Sequence, residues 1–575
     1  MLDNKIKNDA LDAEEKYKTA VESASDYIEN FDILETITNV GNDEVFTPRK
    51  TCDMILDSLP EEVWHNPNYK WLNPATKNGI FEREIAIRLD IGLKDIIPDK
   101  EQRRKHILKN MIYAIGLTRF TANVARRTVY YCSQASRKCD GIKADDGHYV
   151  NGYAIGNGTW FDDEEGNIKT PITDHIFEKG NCIFCGISEK SKYNDPSQRE
   201  TYAYEFIHFN KNEILEHLQD RFFGGNRNMK FDIIIGNPPY QLRVNESGKG
   251  LGGIPIYNLF VEQAKSLSPK YLSMIIPSRW FSGGVGLTEF RYNMLKDKHI
   301  KKICDFSDSR SCFSTVDING GVCFFLRDIT YNGDCDFINT TNGIQSKTVR
   351  KLDEFEIFIR RNEALSILKK VLSFKEKTLS DNGGCSSQTP YGFLSNFEGT
   401  KNKTKNDDCS ILCSKGWSFV ERNQIVKNKE TIDLYKPMIS KLTCEHAGTP
   451  DKAGKYRVLS RTEILKPQQI CSQSYLIICP QKELIMAENV LKYLKTKFVR
   501  FLIQLTLTGM NMSIDNFKFV PWLDFNKEWK DCDLYKKYNL NNDFSNYFLH
   551  FFRLYQHPHL LIPILNLRLT TPQII

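Results

Sequence analysis

The chain has 575 residues, of which 41% are hydrophobic, 26% charged and 12% aromatic, and its formal net charge is +6. That composition excludes a disordered or collagen-like chain and is enough for several folded domains of roughly 100–200 residues each. The small positive balance is compatible with binding nucleic acid but does not require it.

Residues 1–40 read as a charged helical segment that lacks the apolar core of a signal peptide. No later stretch reaches the roughly 20 apolar residues of a membrane span. The expectation is a cytoplasmic protein that does not engage a membrane. Its 16 cysteines are then mostly reduced and packed in the core.

Residues 41–340 alternate helical patterns with short apolar runs: YKWLNP, NMIYAIG, FDIIIG, KYLSMIIP, KKICDF and NGGVCFFL. This rhythm predicts an α/β fold with a Rossmann-like, doubly wound sheet, to which the last two runs can add antiparallel strands. The segment opens with Phe46, Thr47 and Pro48, a turn leading into a helix. Next, KWLNPATKNG predicts a strand ending in a turn from Asn73 to Gly79. Glycine there permits close approach of a ligand, and the amides of the following helix face any carboxylate. A third element, NMIYAIGLT, ends in Gly116, Leu117 and Thr118. A nucleoside-binding sheet often carries an acid at such a strand end, and Thr118 is the only polar substitute.

A polar insertion at residues 132–227 is too long for one loop. It carries Cys182 and Cys185 in a CxxC turn, with Cys132, Cys139 and His175 in sequence reach. Zinc favours four tetrahedral ligands of these types. A structural zinc on Cys182, Cys185 and two of the others is one reading, and reduced thiols without metal are the other.

The strand FDIIIG runs directly into Asn237, Pro238, Pro239 and Tyr240. The Asn237 side-chain oxygen and the Pro238 carbonyl can accept both protons of a planar exocyclic amine, and Tyr240 can stack on its ring. Proline stiffens the backbone between them. Such a site works by orientation and preorganised dipoles rather than by a strong base. The Gly-rich stretch after the tetrad suggests a mobile loop. Ser278, Arg279 and Trp280 close the next strand, with Arg279 a candidate phosphate contact and Trp280 either stacking or packing.

Residues 341–530 begin with a linker helix in RRNEALSILKKVLSF and continue with short strands in YGFLSN, CSILCSKGWSFV and KYRVLS. They read as a separate recognition region. Residues 531–575 are set apart as a C-terminal tail.

With these motifs in this order, the chain resembles an S-adenosylmethionine-dependent amino-group DNA methyltransferase of the adenine-N6 type, and within that class the Eco57I-like restriction-modification methylases. The resemblance covers most of residues 40–530. It implies that Phe46, Thr47 and Pro48 hold the methionine part of the cofactor. The family's Asp-Pro-Ala-Cys-Gly-Ser-Gly loop corresponds to Asn73 through Gly79, where Pro74, Ala75 and Gly79 are kept, Asn73 has no charge and Lys77 stands for a glycine. The family's ribose-binding acid falls on Gly116, leaving Thr118 as a cofactor contact. The tetrad from Asn237 to Tyr240 is intact and takes the catalytic role. The resemblance further implies double-stranded DNA as substrate, a flipped adenine, target readout in the major groove, and a cognate restriction endonuclease as partner. A bifunctional enzyme with a divergent nuclease, a catalytically inactive DNA-binding relative, and an rRNA or protein amine methyltransferase remain as alternatives.

Overall fold

The structure, a computed structural model, describes residues 45–131, 160–190, 203–242, 253–283, 286–313, 316–318, 320–341, 343–381, 383–403, 405, 408–443, 458–507 and 510–540. The expected N-terminal helical segment 1–40, Cys132, Cys139, nearly all of the Gly-rich stretch after Tyr240 and the chain beyond residue 540 lie outside the described residues. The chain divides into two compact units. The first takes the described residues of Met1–Pro277, Gly284–Gly343 and Val349–Lys351, and the second takes Ser278–Gly283, Ile344–Thr348 and the described residues from Leu352 onward.

The first unit is built on a large mixed sheet. Its strands are β1 (Trp71–Thr76), β2 (Ile112–Gly116), β3 (Ile168–Lys169), β6 (Ile233–Gly236), β9 (Tyr271–Pro277), β10 (Ile300–Phe306), β11 (Val322–Asp328) and β12 (Cys335–Thr341). They lie side by side in the order β12-β10-β11-β9-β6-β1-β2-β3. Two hairpins stand outside the sheet, β4 (Phe177–Glu178) with β5 (Asn181–Cys182) and β7 (Gln241–Leu242) with β8 (Ile254–Pro255). The helices are α1 (Arg49–Leu56), α2 (Glu62–His65), α3 (Ile80–Gly92), α4 (Lys100–Asn110), α5 (Arg119–Arg126), α6 (Ile214–Phe223) and α7 (Tyr257–Ser266).

The apolar character of the central strands reflects cover on both faces. Every residue of β1, β2, β6 and β9 is buried. β1 runs parallel to both β2 and β6, with Trp71 opposite Ile112 on one side and Ile233 on the other. β6 is parallel to β9. β11 is inserted antiparallel between β9 and β10, so the final apolar pair of the sequence does add an antiparallel strand. Trp71 stacks on Trp64 at 5.0 Å between ring centroids and anchors a core that includes Ile85, Ile107, Ile235 and Ile275. Complete burial of an apolar side chain contributes about 1.5–3 kcal/mol. The parallel arrangement aligns the carboxyl ends of β1, β2, β6 and β9 along one edge, where open α/β sheets bind ligands.

Part of the polar insertion belongs to this sheet. Ile168 and Lys169 pair with Ala114 and Ile115 of β2, and Asn167 ties the segment down through Nδ2–H bonds to the carbonyls of Leu108 (2.9 Å) and Lys109 (3.0 Å). Two residues are too short to show an alternating pattern, so the strand left no periodic signal.

The second unit contains the hairpin Cys409–Cys413 with Gly416–Val420, joined in parallel by Gln469–Cys471. A second sheet places Lys436–Ser440 between Thr462–Leu465 and Tyr475–Ile477. Helices Leu365–Ser373, Leu484–Lys495 and Lys497–Leu505 pack with Phe517, Phe519 and Leu523. The break between the last two helices is made by Thr496, whose hydroxyl accepts from the Val499 N–H. Residues 531–540, at the start of the segment set apart as a tail, supply Leu534, Tyr538 and Leu540 to this core. YGFLSN, expected as a strand, is a series of turns with Tyr391 fully buried. Of KYRVLS, residues 455–457 lie outside the described residues and Leu459 forms only an isolated bridge to Thr443.

Candidate active site

Val45 to Pro48 lead into α1. Pro48 is the N-cap in an extended conformation (φ −62°, ψ 149°), and its carbonyl accepts from the Cys52 N–H at 3.0 Å. Proline requires no partner for a missing N–H, which suits a helix start. Phe46 and Thr47 are both buried, so this turn is a wall of the site rather than a surface loop.

β1 continues through Thr76, past the position where the sequence suggested a turn, and within it Asn73 turns its side chain toward α3. Its Oδ1 accepts from the Ala75 N–H at 3.1 Å, and its Nδ2–H donates to Glu82 Oε1 at 2.8 Å. Glu82 lies in the first turn of α3, is 1% exposed, and its Oε2 is buried without a hydrogen-bond partner. Burial raises the Glu82 carboxyl above its ordinary pKa, with the Asn73 bond working in the opposite direction. Gly79 precedes α3 with φ +79°, a conformation that glycine adopts at no steric cost. A Cβ at Gly79 would also lie 3.0 Å from the Ala125 backbone.

Asn237 follows β6 directly and is 2% exposed. Its Nδ2 group donates to the Val45 carbonyl at 3.1 Å and to Thr47 Oγ1 at 3.0 Å. Both N–H bonds are thus directed at the wall formed by Val45 and Thr47. The Oδ1 atom is buried and has no partner. Lys77 Nζ also donates to the Val45 carbonyl, at 2.9 Å. Pro238 and Pro239 are buried. The Tyr240 ring is edge-on to Phe313 at 6.5 Å, with its hydroxyl buried and unpartnered. Burial holds that phenol in its neutral form, well above its usual pKa. A cleft with about 190 Å³ of empty space, open solvent included, is lined by Thr47, Asn73, Lys77, Gly79, Glu82 and Asn237 among others.

The structure therefore brings Thr47, Asn73, Ala75 and Gly79 together with Asn237, and adds Val45, Lys77 and Glu82. Pro74 is buried within β1. Thr118 has a different task. Its hydroxyl caps α5 by accepting from the Thr121 N–H at 3.1 Å, a capping box worth about 0.5–2 kcal/mol. Gly116 has no room for an acid, since a Cβ there would be 2.6 Å from Ala122 Cβ and 2.8 Å from its nitrogen. Trp280 is fully buried against Phe281, with ring centroids 4.5 Å apart, so it packs rather than presenting a stacking face. Arg279 beside it is exposed.

In the insertion, Cys182, Cys185 and His175 converge with His208, their ligand atoms all within 4.8 Å of one another. His208 is a ligand-type residue that the sequence does not single out. It lies 23 residues past the CxxC turn, and a lone His in an apolar context such as EFIHF gives no ligand signal.

The Eco57I restriction-modification methylase family model matches residues 110–313. The chain is 47% identical over 320 residues to an "Uncharacterized adenine-specific methylase" of Mycoplasma pneumoniae, covering 54% of this chain and 73% of that one. Among solved structures, it is similar to the type IIL restriction-modification enzyme MmeI in complex with DNA, at 10% identity and a TM-score of 0.42, over 82% of this chain and 66% of that one. It is also similar to the M protein of the type I restriction enzyme EcoKI, at 14% identity and a TM-score of 0.30, over 52% of this chain and 48% of that one. The chain spans about half the length of the type I chains it matches.

Proposed function

This chain belongs to the adenine-specific methylases of the Eco57I restriction-modification family, and from that premise we propose that it is a site-specific DNA methyltransferase that methylates N6 of adenine in double-stranded DNA. The observation that carries this reading is the Asn237 side chain. Its two N–H bonds are committed to Val45 and Thr47, which fixes the amide and leaves Oδ1 buried and unpartnered. A buried acceptor without a partner costs about 1–3 kcal/mol, and an incoming amine N–H removes that cost.

S-adenosylmethionine, when bound, supplies a sulfonium methyl carbon: the bond from N6 to carbon forms as the carbon–sulfur bond breaks, and one N6 proton leaves to solvent. The chain's own residues prepare the amine. Asn237 Oδ1 and the Pro238 carbonyl accept its two protons and favour the geometry in which its lone pair is directed outward. Tyr240 holds the flipped ring. This is catalysis by preorganised acceptors, for which loss of one group typically costs 10²–10³ in rate.

The cofactor side fits a zwitterionic methionine tail. The unpartnered Glu82 Oε2 supplies the negative charge that Asn73 lacks and suits the α-ammonium. The N-terminal amides of α3 suit the α-carboxylate. Lys77 braces the turn that carries Phe46, Thr47 and Pro48 through the Val45 carbonyl. Gly116 offers no ribose acid, so the sugar hydroxyls are held by other groups.

The second unit is assigned to target recognition. Its hairpin Cys409–Val420 is the exposed-turn end of a three-stranded sheet, and strands are among the elements that can read a major groove. Lys401, Lys403, Lys415 and Lys427 are exposed along it or near it. The host setting is cytoplasmic modification of DNA alongside a cognate restriction endonuclease. Among the described residues no helix is long and apolar enough to cross a membrane.

The test is transfer of labelled methyl from S-adenosylmethionine to mixed-sequence duplex DNA, followed by nucleoside digestion. N6-methyladenine from the native chain but not from Asn237→Ala supports the reading. Label in RNA or protein instead, or equal product from the variant, overturns it.

A further inference from the structure

We propose that His175, Cys182, Cys185 and His208 bind a structural zinc ion that joins the CxxC segment of the polar insertion to the packed turn at Tyr204–His208. Zinc bound at about 2.0–2.3 Å in a tetrahedron separates its ligand atoms by roughly 3.3–3.8 Å. Here Cys185 Sγ is 3.5 Å from His175 Nδ1, and His208 Nε2 is 3.1 Å from the same nitrogen. Four protein ligands close the coordination sphere, which marks a structural rather than a catalytic ion.

The local fold is shaped around these atoms. The β4–β5 hairpin turns through Lys179 and Gly180, both at positive φ, and delivers Cys182 to its end. The Cys182 N–H donates to the Ile187 carbonyl at 2.8 Å, and the Gly186 N–H to the Cys182 carbonyl at 2.9 Å. The chain thereby doubles back and presents both sulfurs on one side. On the opposite side, His208 Nδ1 lies 2.7 Å from the Tyr204 carbonyl. A carbonyl only accepts, so Nδ1 carries the proton and Nε2 offers its lone pair, as is usual for a metal-ligating histidine. A proton shared with His175 satisfies that one pair. A cation satisfies both imidazoles and both sulfurs.

The CxxC segment has reason to need it. Between Thr170 and Lys190 only Cys182, Cys185 and Ile187 are buried, far short of a core. The His208 turn, by contrast, is firmly seated. Phe206 stacks on Phe260 of α7 at 5.9 Å, and Glu205 accepts from His217 Nε2 (2.6 Å), Arg221 Nε (3.2 Å) and the Ile172 N–H (3.0 Å). The ion would therefore fasten a coreless segment to a well-packed one. The fastened knuckle also abuts the chain leaving the tetrad: a Cβ on Gly186 would be 3.7 Å from Ile254, in the hairpin that begins one residue after Tyr240.

The experiment is metal analysis of the purified full-length chain, which does not depend on methyl transfer. A single equivalent of zinc per chain is expected, retained after dialysis and lost on denaturation with a chelator. Cys182→Ser and His208→Ala should each lose it, whereas Cys132→Ser and Cys139→Ser should keep it. Because loss of a ligand can unfold the segment, the unaltered chain freed of metal is also titrated with Co²⁺, and the intense visible absorption of a tetrahedral thiolate site is expected at a single equivalent. A folded native chain that neither carries zinc nor develops that absorption overturns the proposal, as does full zinc retention in both ligand variants.

Discussion

Asn73 and Gly236 are fitted to each other: a Cβ on Gly236 would lie 2.5 Å from Asn73 Oδ1. The two residues lie on adjacent parallel strands, Asn73 within β1 and Gly236 at the end of β6, so the absence of a side chain on Gly236 is what lets the amide of Asn73 lie across β6 and reach Glu82.

Gly236→Ala tests this fit. The methyl group has no space unless Asn73 moves, and movement weakens the bonds to Ala75 and Glu82. Overpacking of this kind costs about 1–3 kcal/mol. The expected outcome is a lower Tm and S-adenosylmethionine binding weakened about tenfold by calorimetry, with Asn237 itself untouched. Unchanged cofactor affinity would count against the role given to the Asn73–Glu82 pair.

Asn237→Ala separates chemistry from cofactor binding. It removes the buried acceptor while leaving Glu82 and α3 in place. The turnover rate should fall by about 10²–10³, and cofactor affinity by far less. Asn237→Asp should be as slow. A carboxylate has acceptors but no donors for Val45 and Thr47, so the group loses its orientation. Rapid turnover by the Asp variant would remove the argument from orientation.

Glu82 makes a pH-dependent prediction. Burial raises its folded-state pKa above the ordinary carboxylate value. Its contribution to stability is therefore complete below that ordinary value and is lost as pH rises through the raised one. Binding an ammonium requires the ionised form, so cofactor affinity should rise over the same interval. Glu82→Gln keeps a side chain near Asn73 but has no charge. At a pH above the raised pKa the unliganded variant should be at least as stable as the native chain by thermal unfolding, yet bind the cofactor more weakly, with a flattened pH profile. A variant that lost stability and kept its affinity would show that Glu82 serves only the fold.

Lys77→Met removes one of the two donors on the Val45 carbonyl. Loss of a hydrogen bond from a charged donor costs about 1.5–3 kcal/mol. Both cofactor affinity and turnover should decline, because the turn carrying Thr47 loses a brace. Isothermal calorimetry and single-turnover rates on the same preparation distinguish this paired loss from a purely catalytic one.

Much of the site could be read from residue order. The six apolar runs of residues 41–340 all became strands, four of them buried along their whole length, where cover on both faces calls for apolar side chains. Pro48 marked its helix start, since few other positions accept a missing N–H. The Asn-Pro-Pro-Tyr segment announced itself because nothing in an ordinary turn calls for that combination. What escaped was decided by partners distant in sequence. Thr118 looked available to a ligand until Thr121 claimed its hydroxyl. The empty acid position at Gly116 is explained only by Ala122 pressing against it. Glu82, nine residues past Asn73, carried no signal that set it apart from any other helical acid, and His208 gave no sign of meeting the CxxC turn across a long intervening segment. Trp280 was open to two readings, and burial against Phe281 chose between them.

One oxygen atom has a consequence for how the two substrates influence each other. The Val45 carbonyl receives Lys77 from the Asn73–Gly79 loop and Asn237 from the tetrad, which under the proposed function hold cofactor and base respectively. Anything that draws Lys77 away alters what Asn237 feels, and the reverse holds equally. Linkage then demands symmetry: if occupancy by one substrate tightens the other by some factor, the second must tighten the first by the same factor. A shared acceptor in this place makes order of binding a matter of kinetics, while the free energy of the ternary state is common to both routes.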